Sequence, residues 1–286
     1  MRVFAPGKLF VIGEYAVLDG GDAVVAAVNR GVVCDVSAGD AIEAPSGDTR
    51  FVAPALDAVQ APKKHYRFSA WNPLEFPHKI GLGSSAAACV AAVGAGHLAR
   101  GVEPTKATLA TALQIHHQVQ GSGSGRDVMA SFYGGISRFS PHGHAPLRPL
   151  PLTIIHSGQP AQTGPRVEAY LSLSNRDSFL SSAKQLVESL EENPVVALEE
   201  YGRLLEEFSK AAGFDYLTHA HKRIRELARK FGGSAKPSGA GGGDIAVALI
   251  PDEDKRAAFV DACTYEDLLE IPVQLSRGLH WETENA

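Results

Sequence analysis

A glycine-broken segment that runs directly into a stretch of small apolar residues constrains this chain more than any other feature. The segment spans residues 79–88 (KIGLGSSAAA), and the Ala/Val-rich stretch continues to about residue 99. Gly81 and Gly83 permit a tight turn and leave no side chain to keep a ligand away, while either serine can cap the helix that follows. Unpaired N–H groups and the positive end of the helix dipole then point at one spot, where a phosphate group binds well. The segment is therefore a candidate nucleotide-binding loop.

Two more glycine-dense segments follow, at residues 121–125 (GSGSG) and 239–243 (GAGGG). Any one of these loops could be an ordinary turn in front of a helix or strand. Three of them in one chain of this size are seldom explained by turn chemistry alone. The glycines of the last segment cannot contribute to a core, and we expect their entropic cost to be offset by something that needs bare backbone.

The composition excludes several classes of protein. The chain has 286 residues, of which 44% are hydrophobic, enough for one large core or two packed domains, and we expect two. A formal charge of −5 argues against sequence-independent attraction to nucleic acid or anionic lipid. Its three cysteines are widely separated, which predicts neither a disulfide framework nor a zinc site. No apolar run is long enough for a signal sequence or a membrane span, so we expect a cytoplasmic protein without membrane or nucleic-acid partners.

The order of predicted elements indicates two α/β units joined near residues 141–146, a Pro/Gly/His stretch. In the first unit we predict strands at 9–12, 23–28 and 31–36, a hairpin turn at 19–22, a polar loop at 38–62, and helices after residue 83, at 104–119 and up to residue 132. In the second we predict strands at 152–155, 245–250 and near 271–275, and helices at 165–172, 177–191, 195–212, 214–231 and 253–263. The expected domains are residues 1–148 and 149–286.

Two common phosphate-binding patterns do not fit the first loop. The chain contains no G-x-x-x-x-G-K-S/T segment, so it is not predicted to be a P-loop NTPase. Residues 81–86 formally match the permissive dinucleotide fingerprint, but Pro77, His78 and Lys79 stand where that fingerprint requires an apolar strand. A different class of nucleotide site is therefore expected.

Three segments, taken in this order, resemble the motifs of the GHMP kinase superfamily. They are residues 5–15 (APGKLFVIGEY), 81–87 (GLGSSAA) and 236–244 (KPSGAGGGD). Within the superfamily, Lys79, the run at 116–128 and the third motif are most similar to phosphomevalonate kinases of the fungal and plant type. The resemblance implies an α+β fold with two domains, a β/α domain with a left-handed βαβ crossover and a ferredoxin-like α/β sandwich.

The resemblance also implies a small-molecule kinase. Its expected reaction is ATP-dependent phosphorylation of phosphomevalonate to diphosphomevalonate, on the mevalonate route to isoprenoids, with Mg²⁺ as cofactor. Three alternatives stay open: a mevalonate kinase with Asp127 as base, a diphosphomevalonate decarboxylase, and a non-catalytic small-molecule sensor on the same fold. Mevalonate kinases tend to carry a magnesium-binding glutamate on the helix where this chain has His116 and His117. The expected partners are ATP and the acceptor, and the expected assembly is a monomer or a homodimer.

The residues that the resemblance assigns fall into three groups. Lys8 and Asp127 are expected to be catalytic, and Ser85 is expected to bind Mg²⁺. The residues expected around the ATP phosphates are Lys79, Gly81, Leu82, Gly83, Ser84, Ser85 and Ala86. The residues expected around the acceptor are Lys8, Ser124, Arg126, Asp127, Thr163, Ser238, Gly239, Ala240 and Gly241.

The chemistry of the acceptor determines what Asp127 has to do. Its position alone predicts a helix-capping role. An alcohol acceptor would benefit from a carboxylate that takes or orients its proton. A phosphate monoester, whose second pKa is about 6, is largely dianionic at neutral pH and needs cations instead. The candidate cations are Lys8, Lys79, Arg126 and Lys236, together with the basic run at 63–67.

Overall fold

The computed structural model describes residues 1–70, 80–121 and 123–283. Its strands are β1 (Arg2–Ile12), β2 (Ala23–Ser37), β3 (Ala41–Glu43), β4 (His65–Ala70), β5 (Ile136–Ser140), β6 (Gly143–Pro146), β7 (Leu152–His156), β8 (Ser234–Pro237), β9 (Ile245–Leu249) and β10 (His280–Glu282). Its α-helices are α1 (Val52–Ala58), α2 (Ser84–Ala99), α3 (Lys106–Gln120), α4 (Arg126–Tyr133), α5 (Thr163–Leu171), α6 (Asp177–Ser189), α7 (Pro194–Ala211), α8 (His219–Lys230) and α9 (Glu253–Tyr265).

The first sheet is built on the long antiparallel pair of β1 and β2. Alternate residues of β1 face the core, and Val3, Leu9 and Val11 are fully buried. Strands β10, β1, β2, β4 and β3 lie in this order, while β5 pairs with the start of β2 and carries β6. The strands predicted at the beginning of the chain are confirmed as parts of β1 and β2. These two strands are antiparallel partners, so the predicted hairpin connection is confirmed, but it is a loop over residues 13–22 with a 3₁₀ turn at Ala16–Asp19 and is longer than the turn predicted at 19–22.

Helix α2 packs against this sheet and is buried on nearly all sides. Its residues are mostly Ala, Val and Gly because β1, β2, α1, α3 and α4 all pack against it. A Cβ atom at Gly96 would lie 2.5 Å from Cγ2 of Val59, so only glycine allows the end of α1 to approach this closely. The small residues thereby fix the position of the N-terminus of α2, at the end of the predicted nucleotide loop.

The second sheet contains β7, β9 and β8, which are antiparallel neighbours in that order. Residues 269–271 bond to the outer edge of β7, because His156 N–H donates to the Leu269 carbonyl and Ile271 N–H donates to the Ile154 carbonyl, both at 2.8 Å. The resulting order is that of a ferredoxin-like sandwich, with helices connecting β7 to β8 and β9 to the edge segment. The expected two-part α+β fold is confirmed.

The segment at 38–62, predicted as a polar loop, contains β3 and α1. Helix α1 turns three apolar residues, Val52, Ala55 and Leu56, toward the core. Polar residues, proline and glycine dominate the rest of the segment, and they obscure this short amphipathic pattern in the sequence.

The end of the chain returns to the first sheet. The single strand predicted at 271–275 is wrong, since Ile271 bonds to the edge of β7 whereas Leu275 makes an isolated bridge to Val28 of β2. Strand β10 instead pairs with the start of β1, with Phe4 opposite His280. Residues 280–282 therefore extend the first sheet, although they fall in the second domain predicted from the sequence. The boundary at residue 148 stays a prediction.

Capping residues explain why two helices begin later than predicted. Thr105 caps α3 and Thr218 caps α8, and each threonine accepts a hydrogen bond from a backbone N–H of the first turn. The other helices of the second unit are confirmed within a few residues at either end. None of the helices in the described ranges is long and apolar enough to cross a membrane.

Candidate active site

A cavity of about 370 Å³ lies between the two units, where α2, α4 and α5 begin. Cavities of this size commonly hold small-molecule ligands. The predicted site residues that line it are Lys8, Gly81, Gly83, Ser85, Ser124, Asp127, Thr163, Ser238, Gly239, Ala240 and Gly241. Segments far apart in the chain thus meet around one cavity.

Lys8, on β1, is fastened to the second motif by two hydrogen bonds. Its Nζ donates to the Gly81 carbonyl at 3.1 Å, and its backbone N–H donates to the Leu82 carbonyl at 2.8 Å. Gly83 has a left-handed backbone with φ of +74°, and a Cβ atom there would lie 2.6 Å from Cγ of Lys8. The glycine is therefore needed for the approach of Lys8, and the ammonium group is placed at the start of α2.

The N-terminus of α2 carries no side-chain cap. Its N-cap residue is Gly83, so the prediction that a serine caps this helix is wrong. Ser84 is exposed, whereas Ser85 is half-buried and faces the cavity. Leu82 and Ala86 are buried in the core, and neither they nor Ser84 line the cavity. The first-turn N–H groups are left for a ligand, which is the arrangement that binds anions at helix N-termini.

Asp127 is the second residue of α4 and not its N-cap, which is Gly125. One carboxylate oxygen accepts the N–H of Val128 at 2.9 Å, and the other lies 3.9 Å from Nε2 of His116. The same Nε2 lies 3.5 Å from Oγ of Ser85. His116 therefore stands between the predicted metal ligand on α2 and the predicted catalytic carboxylate on α4.

His116 is held by the core and by an aromatic neighbour. Its side chain is only 5% exposed, and its ring stacks on Phe51 with centroids 5.3 Å apart. The adjacent His117 is exposed on the other side of α3. Sequence reasoning identified both histidines but assigned no role to either, because only the structure shows which one faces the cavity.

The third motif is attached to β1 and to the residues that follow it. Oγ of Ser238 donates to the Phe10 carbonyl at 2.9 Å, so this predicted acceptor contact already has a partner in the protein. The hydroxyl of Tyr15 donates to the Ala240 carbonyl at 2.7 Å. These bonds fix the loop against the first unit and bring Gly239 to the cavity wall.

The glycines of the third motif make room for the protein as well as for a ligand. A Cβ atom at Gly241 would lie 2.3 Å from the Tyr216 ring, and one at Gly242 would lie 1.9 Å from Nη2 of Arg166. One at Gly243 would meet the backbone at residues 160–161. Only Gly239 has open space beside it. The bare backbone that we inferred from the sequence is thus needed mainly for packing against other parts of the protein, and only Gly239 leaves space for a ligand.

Asp244 joins the second and third motifs. Its Oδ1 accepts the N–H of Ala161 at 3.0 Å, and a Cβ atom at Gly81 would lie 2.8 Å from its Oδ2. The residue has a left-handed backbone with φ of +57° and lines the cavity. Sequence reasoning placed Asp244 in the third motif but assigned it no site role.

A buried ion pair between Glu14 and Lys236 lies at the junction of the two units. Glu14 follows β1 and faces the cavity, and Lys236 comes from β8. The Lys236 ammonium also donates to the Pro237 carbonyl at 2.9 Å, and Glu14 accepts the N–H of Gly239 at 3.2 Å. Burial lowers the pKa of Lys236, and the charge of Glu14 opposes this shift. Lys236 is therefore a structural cation, and its assignment as a candidate phosphate ligand is wrong.

Other predicted cations lie away from the cavity. Arg126 is buried beside Met129, because neighbouring positions on a helix face different directions and Asp127 is the one that faces the site. The basic run at 63–67 belongs to the edge of the first sheet, where Lys63 pairs with Asp40 at 3.2 Å. Lys79 lies outside the described residues.

Phosphoryl transfer to a small molecule requires groups that neutralise charge and position the reactants. This cavity offers three such groups: bare backbone at the start of a helix, an ammonium group and a carboxylate. Sequence comparison agrees, since profiles of the GHMP kinases N terminal domain and the GHMP kinases C terminal domain match residues 54–135 and 181–266. The chain is a small-molecule kinase. It belongs to the GHMP kinase family.

Relatives named for their activity indicate which branch of the family this chain belongs to. The phosphomevalonate kinase of Streptomyces sp. is 30% identical, with 96% of each chain aligned. The mevalonate kinase of Thermococcus gammatolerans is 28% identical over 90% of this chain and 92% of its own. The chain is therefore a GHMP kinase of the mevalonate pathway, and both types of acceptor occur among its relatives.

Solved structures share the fold over nearly the whole chain. A protein from Listeria innocua has a TM-score of 0.90 at 22% identity, covering 98% of this chain and 99% of that one. The phosphomevalonate kinase of Streptococcus pneumoniae has a TM-score of 0.80 at 18% identity, covering 96% of this chain and 99% of that one.

Proposed function

We propose that the enzyme transfers the γ-phosphoryl group of ATP to phosphomevalonate and forms diphosphomevalonate. The observation that carries this proposal is the environment of Asp127, whose carboxylate accepts the Val128 N–H at 2.9 Å and lies 3.9 Å from Nε2 of His116. A carboxylate engaged in this way is better suited to orienting its neighbours than to taking a proton. Phosphomevalonate presents a phosphate whose second pKa is about 6, so it needs no base at neutral pH. The 30% identical phosphomevalonate kinase supports the same acceptor.

In this reaction the ATP phosphates bind at the N-terminus of α2. Gly83 leaves the first-turn N–H groups without a side-chain cap, and the helix dipole adds positive potential at the same place. The acceptor occupies the other part of the cavity, lined by Thr163 and the residues 239–241. Donor and acceptor are then held side by side in one cavity, which supplies the positioning that phosphoryl transfer requires.

Lys8 neutralises the charge that two phosphate groups bring together. Its Nζ lies 3.1 Å from the Gly81 carbonyl, beside the start of α2. An ammonium group fixed in this way stabilises the charge that develops on the transferred group without having to be reorganised. Asp127 lines the same cavity and orients Lys8 and the acceptor.

Mg²⁺ is the cofactor that we propose with ATP. Among the described residues, no group of three or more His, Cys, Asp or Glu side chains could hold a metal ion. The Ser85 hydroxyl faces the cavity beside the phosphate-binding N-terminus, and Asp127 supplies a carboxylate to the same space. Such a sparse oxygen set suits Mg²⁺, which keeps several waters and takes few protein ligands. Ser85 would hold the ion, which would neutralise phosphate charge when bound.

Mevalonate is the second candidate acceptor. The mevalonate kinase that is 28% identical over 90% of this chain supports it. With an alcohol acceptor, Asp127 would take the hydroxyl proton as the phosphoryl group is transferred.

A side-by-side assay tests the proposal. ADP release is followed with ATP and Mg²⁺ in the presence of phosphomevalonate, mevalonate or no acceptor, and the product is identified by phosphorus NMR. We expect kcat/KM for phosphomevalonate to exceed that for mevalonate by about 100-fold or more. Faster turnover of mevalonate would replace the proposal with the second candidate. A parallel reaction with diphosphomevalonate tests the decarboxylase alternative, which would release carbon dioxide from it. A lack of ADP release with all of these substrates would indicate a non-catalytic protein.

A further inference from the structure

Arg166 is a half-buried cation beside the acceptor part of the cavity that makes no ion pair with any described carboxylate. It lies on α5, next to Val167 and one turn after Thr163, both of which line the cavity. Its Nη1 donates to the Asp215 carbonyl at 3.0 Å, and its guanidinium carbon lies 5.2 Å from the centre of the Phe214 ring. A guanidinium group has five N–H donors, and this is its one hydrogen bond among the described residues.

The third motif is shaped to receive this side chain. At Gly242, where φ is +74°, a Cβ atom would lie 1.9 Å from Nη2 of Arg166, so any other residue would displace the guanidinium. Lys8 is seated in the same manner, by Gly83 of the second motif. Each of the two glycine loops thus accommodates one cation: Lys8 lines the cavity, and Arg166 lies on α5 beside Val167, which lines it.

The charge of Arg166 acts on the cavity wall. Burial raises the pKa of the Tyr15 hydroxyl, and the positive charge of Arg166 opposes that shift. Tyr15 lines the cavity and bonds to the third motif through the Ala240 carbonyl. The guanidinium is therefore within electrostatic reach of the space that the acceptor would occupy.

We propose that Arg166 binds an anionic group of the acceptor and thereby determines the preference of the enzyme for charged acceptors. This inference rests on the proposed function. A half-buried cation without a counter-ion is costly, and a ligand anion removes that cost. The planar guanidinium can hold a carboxylate or a phosphate through two parallel hydrogen bonds. Lys236 is not available for this task because Glu14 neutralises it.

Equilibrium binding tests the inference without requiring turnover. Phosphomevalonate and mevalonate are titrated by calorimetry into the wild-type enzyme, Arg166→Met and Arg166→Lys, each saturated with a non-hydrolysable ATP analogue and Mg²⁺. We expect Arg166→Met to raise the Kd for the acceptor by about tenfold or more and to leave the Kd for the nucleotide analogue within about twofold of wild type. Arg166→Lys keeps the charge but not the paired donors, so an intermediate Kd is expected.

A second arginine provides the matched control. Arg203 lies on α7 with its side chain 55% exposed, and it pairs with Glu200 at 3.0 Å. Arg203→Met removes one exposed positive charge that is paired with Glu199 and Glu200 on its own helix, and it should leave both Kd values unchanged. Thermal melting of each variant shows that the fold is intact.

The two acceptors identify the group that is bound. Equal weakening of phosphomevalonate and mevalonate by Arg166→Met assigns the shared carboxylate, whereas weakening of phosphomevalonate alone assigns the phosphate. Binding of both acceptors within about twofold of wild type would overturn the inference, because loss of a charge-assisted pair has a larger effect. A wild-type enzyme that binds neither acceptor would instead contradict the proposed function.

Discussion

Missing side chains at positions 81, 83 and 242 make room for charged side chains of the protein itself. A Cβ atom at these positions would lie within 3 Å of Asp244, Lys8 and Arg166, respectively. The glycines therefore do more than expose backbone N–H groups to a phosphate. They allow charged side chains to lie directly on the loops where a polyphosphate ligand would bind.

The first prediction concerns Lys8. Lys8→Met preserves much of the aliphatic stem that packs on Gly83 but removes the ammonium group beside the Gly81 carbonyl. We expect kcat to fall by about 100- to 1,000-fold, because a fixed charge at the transferred group is lost. Thermal melting should show a folded protein. Lys222→Met, on α8, is a control for loss of a lysine elsewhere, and near-normal activity of Lys8→Met would remove Lys8 from the mechanism.

The second prediction concerns His116, which stands 3.5 Å from Oγ of Ser85 and 3.9 Å from Oδ2 of Asp127. His116→Phe retains stacking on Phe51 but removes Nε2, so both partners lose a group that positions them. We expect kcat to fall by about tenfold with little change in the KM for ATP. His116→Gln, which can return a polar nitrogen, should recover part of the loss.

The neighbouring histidine supplies the control for this experiment. His117 is exposed on the same helix, so His117→Asn should match the wild-type enzyme in kcat and in melting temperature. If the role of His116 were purely structural, both His116 variants would melt at a lower temperature but would keep the wild-type kcat when folded.

Site residues that stand within a recognisable motif could be predicted from the sequence. Residues whose role depends on a partner far away in the chain could not. Lys8, Ser85 and Asp127 stand in recognisable segments and do line one cavity. The pairing of Glu14 spans 222 positions to Lys236, and no local pattern indicates it. The position of Arg166 against the third motif likewise depends on Gly242, which follows it by 76 positions in the sequence.

At the scale of elements, α8 shows how a buried cap makes stability depend on pH. Thr218 and His221 form a reciprocal cap, in which Nδ1 of His221 lies 3.3 Å from the Thr218 backbone nitrogen and accepts its N–H. Burial lowers the pKa of His221 from 6.5 to about 3. The imidazole is therefore neutral in the folded protein at neutral pH and donates nothing to the cap.

The third prediction follows from this shift. Below about pH 6.5 the unfolded chain binds a proton at His221, whereas the folded chain does so only near pH 3, so the free energy of unfolding falls as the pH drops through this range. At pH 5 the neutral, buried His221 lowers the free energy of unfolding by about 2 kcal/mol. His221→Gln keeps a residue that suits this cap position and should lose about 2 kcal/mol less than wild type between pH 7 and pH 5 in urea titrations. Parallel pH profiles of the two proteins would contradict the expectation.

Elements with a clear period are the ones that sequence reasoning finds. Helices α6 and α7 have an apolar stripe and were predicted within a few residues, as was α2, which is apolar all round. Strand β8 has only four residues, including Lys236 and Pro237, and all four are buried. Lysine is usually exposed, so Lys236 did not indicate a buried strand and β8 was not predicted.

At the scale of the whole molecule, the buried pair of Glu14 and Lys236 joins the two units beside the cavity. The hydroxyl of Tyr201 donates to the Glu14 carbonyl at 2.8 Å, and Ser238 donates to the Phe10 carbonyl at 2.9 Å. The unit that carries Lys8 and the unit that carries the third motif are thus tied together at the site. Stability and the geometry of the cavity depend on the same contacts.

The fourth prediction tests this junction. Lys236→Met should lower the free energy of unfolding by about 3–5 kcal/mol, because the charge of Glu14 remains buried without its partner. The double variant Glu14→Gln with Lys236→Met should lose less than the sum of the two single variants, since it leaves no unpaired charge. Additive losses in urea titrations would show that the pair is not coupled.

The central claim is that the three motifs surround one site where phosphoryl transfer takes place. A crystal structure of the enzyme with a non-hydrolysable ATP analogue, Mg²⁺ and phosphomevalonate tests it most directly. We expect the analogue's phosphates to lie on the backbone N–H groups at the start of α2, with Nζ of Lys8 in contact with the γ-phosphoryl group and the acceptor between Asp127 and Gly239. A nucleotide bound elsewhere, or an acceptor separated from Lys8 and Asp127, would contradict it.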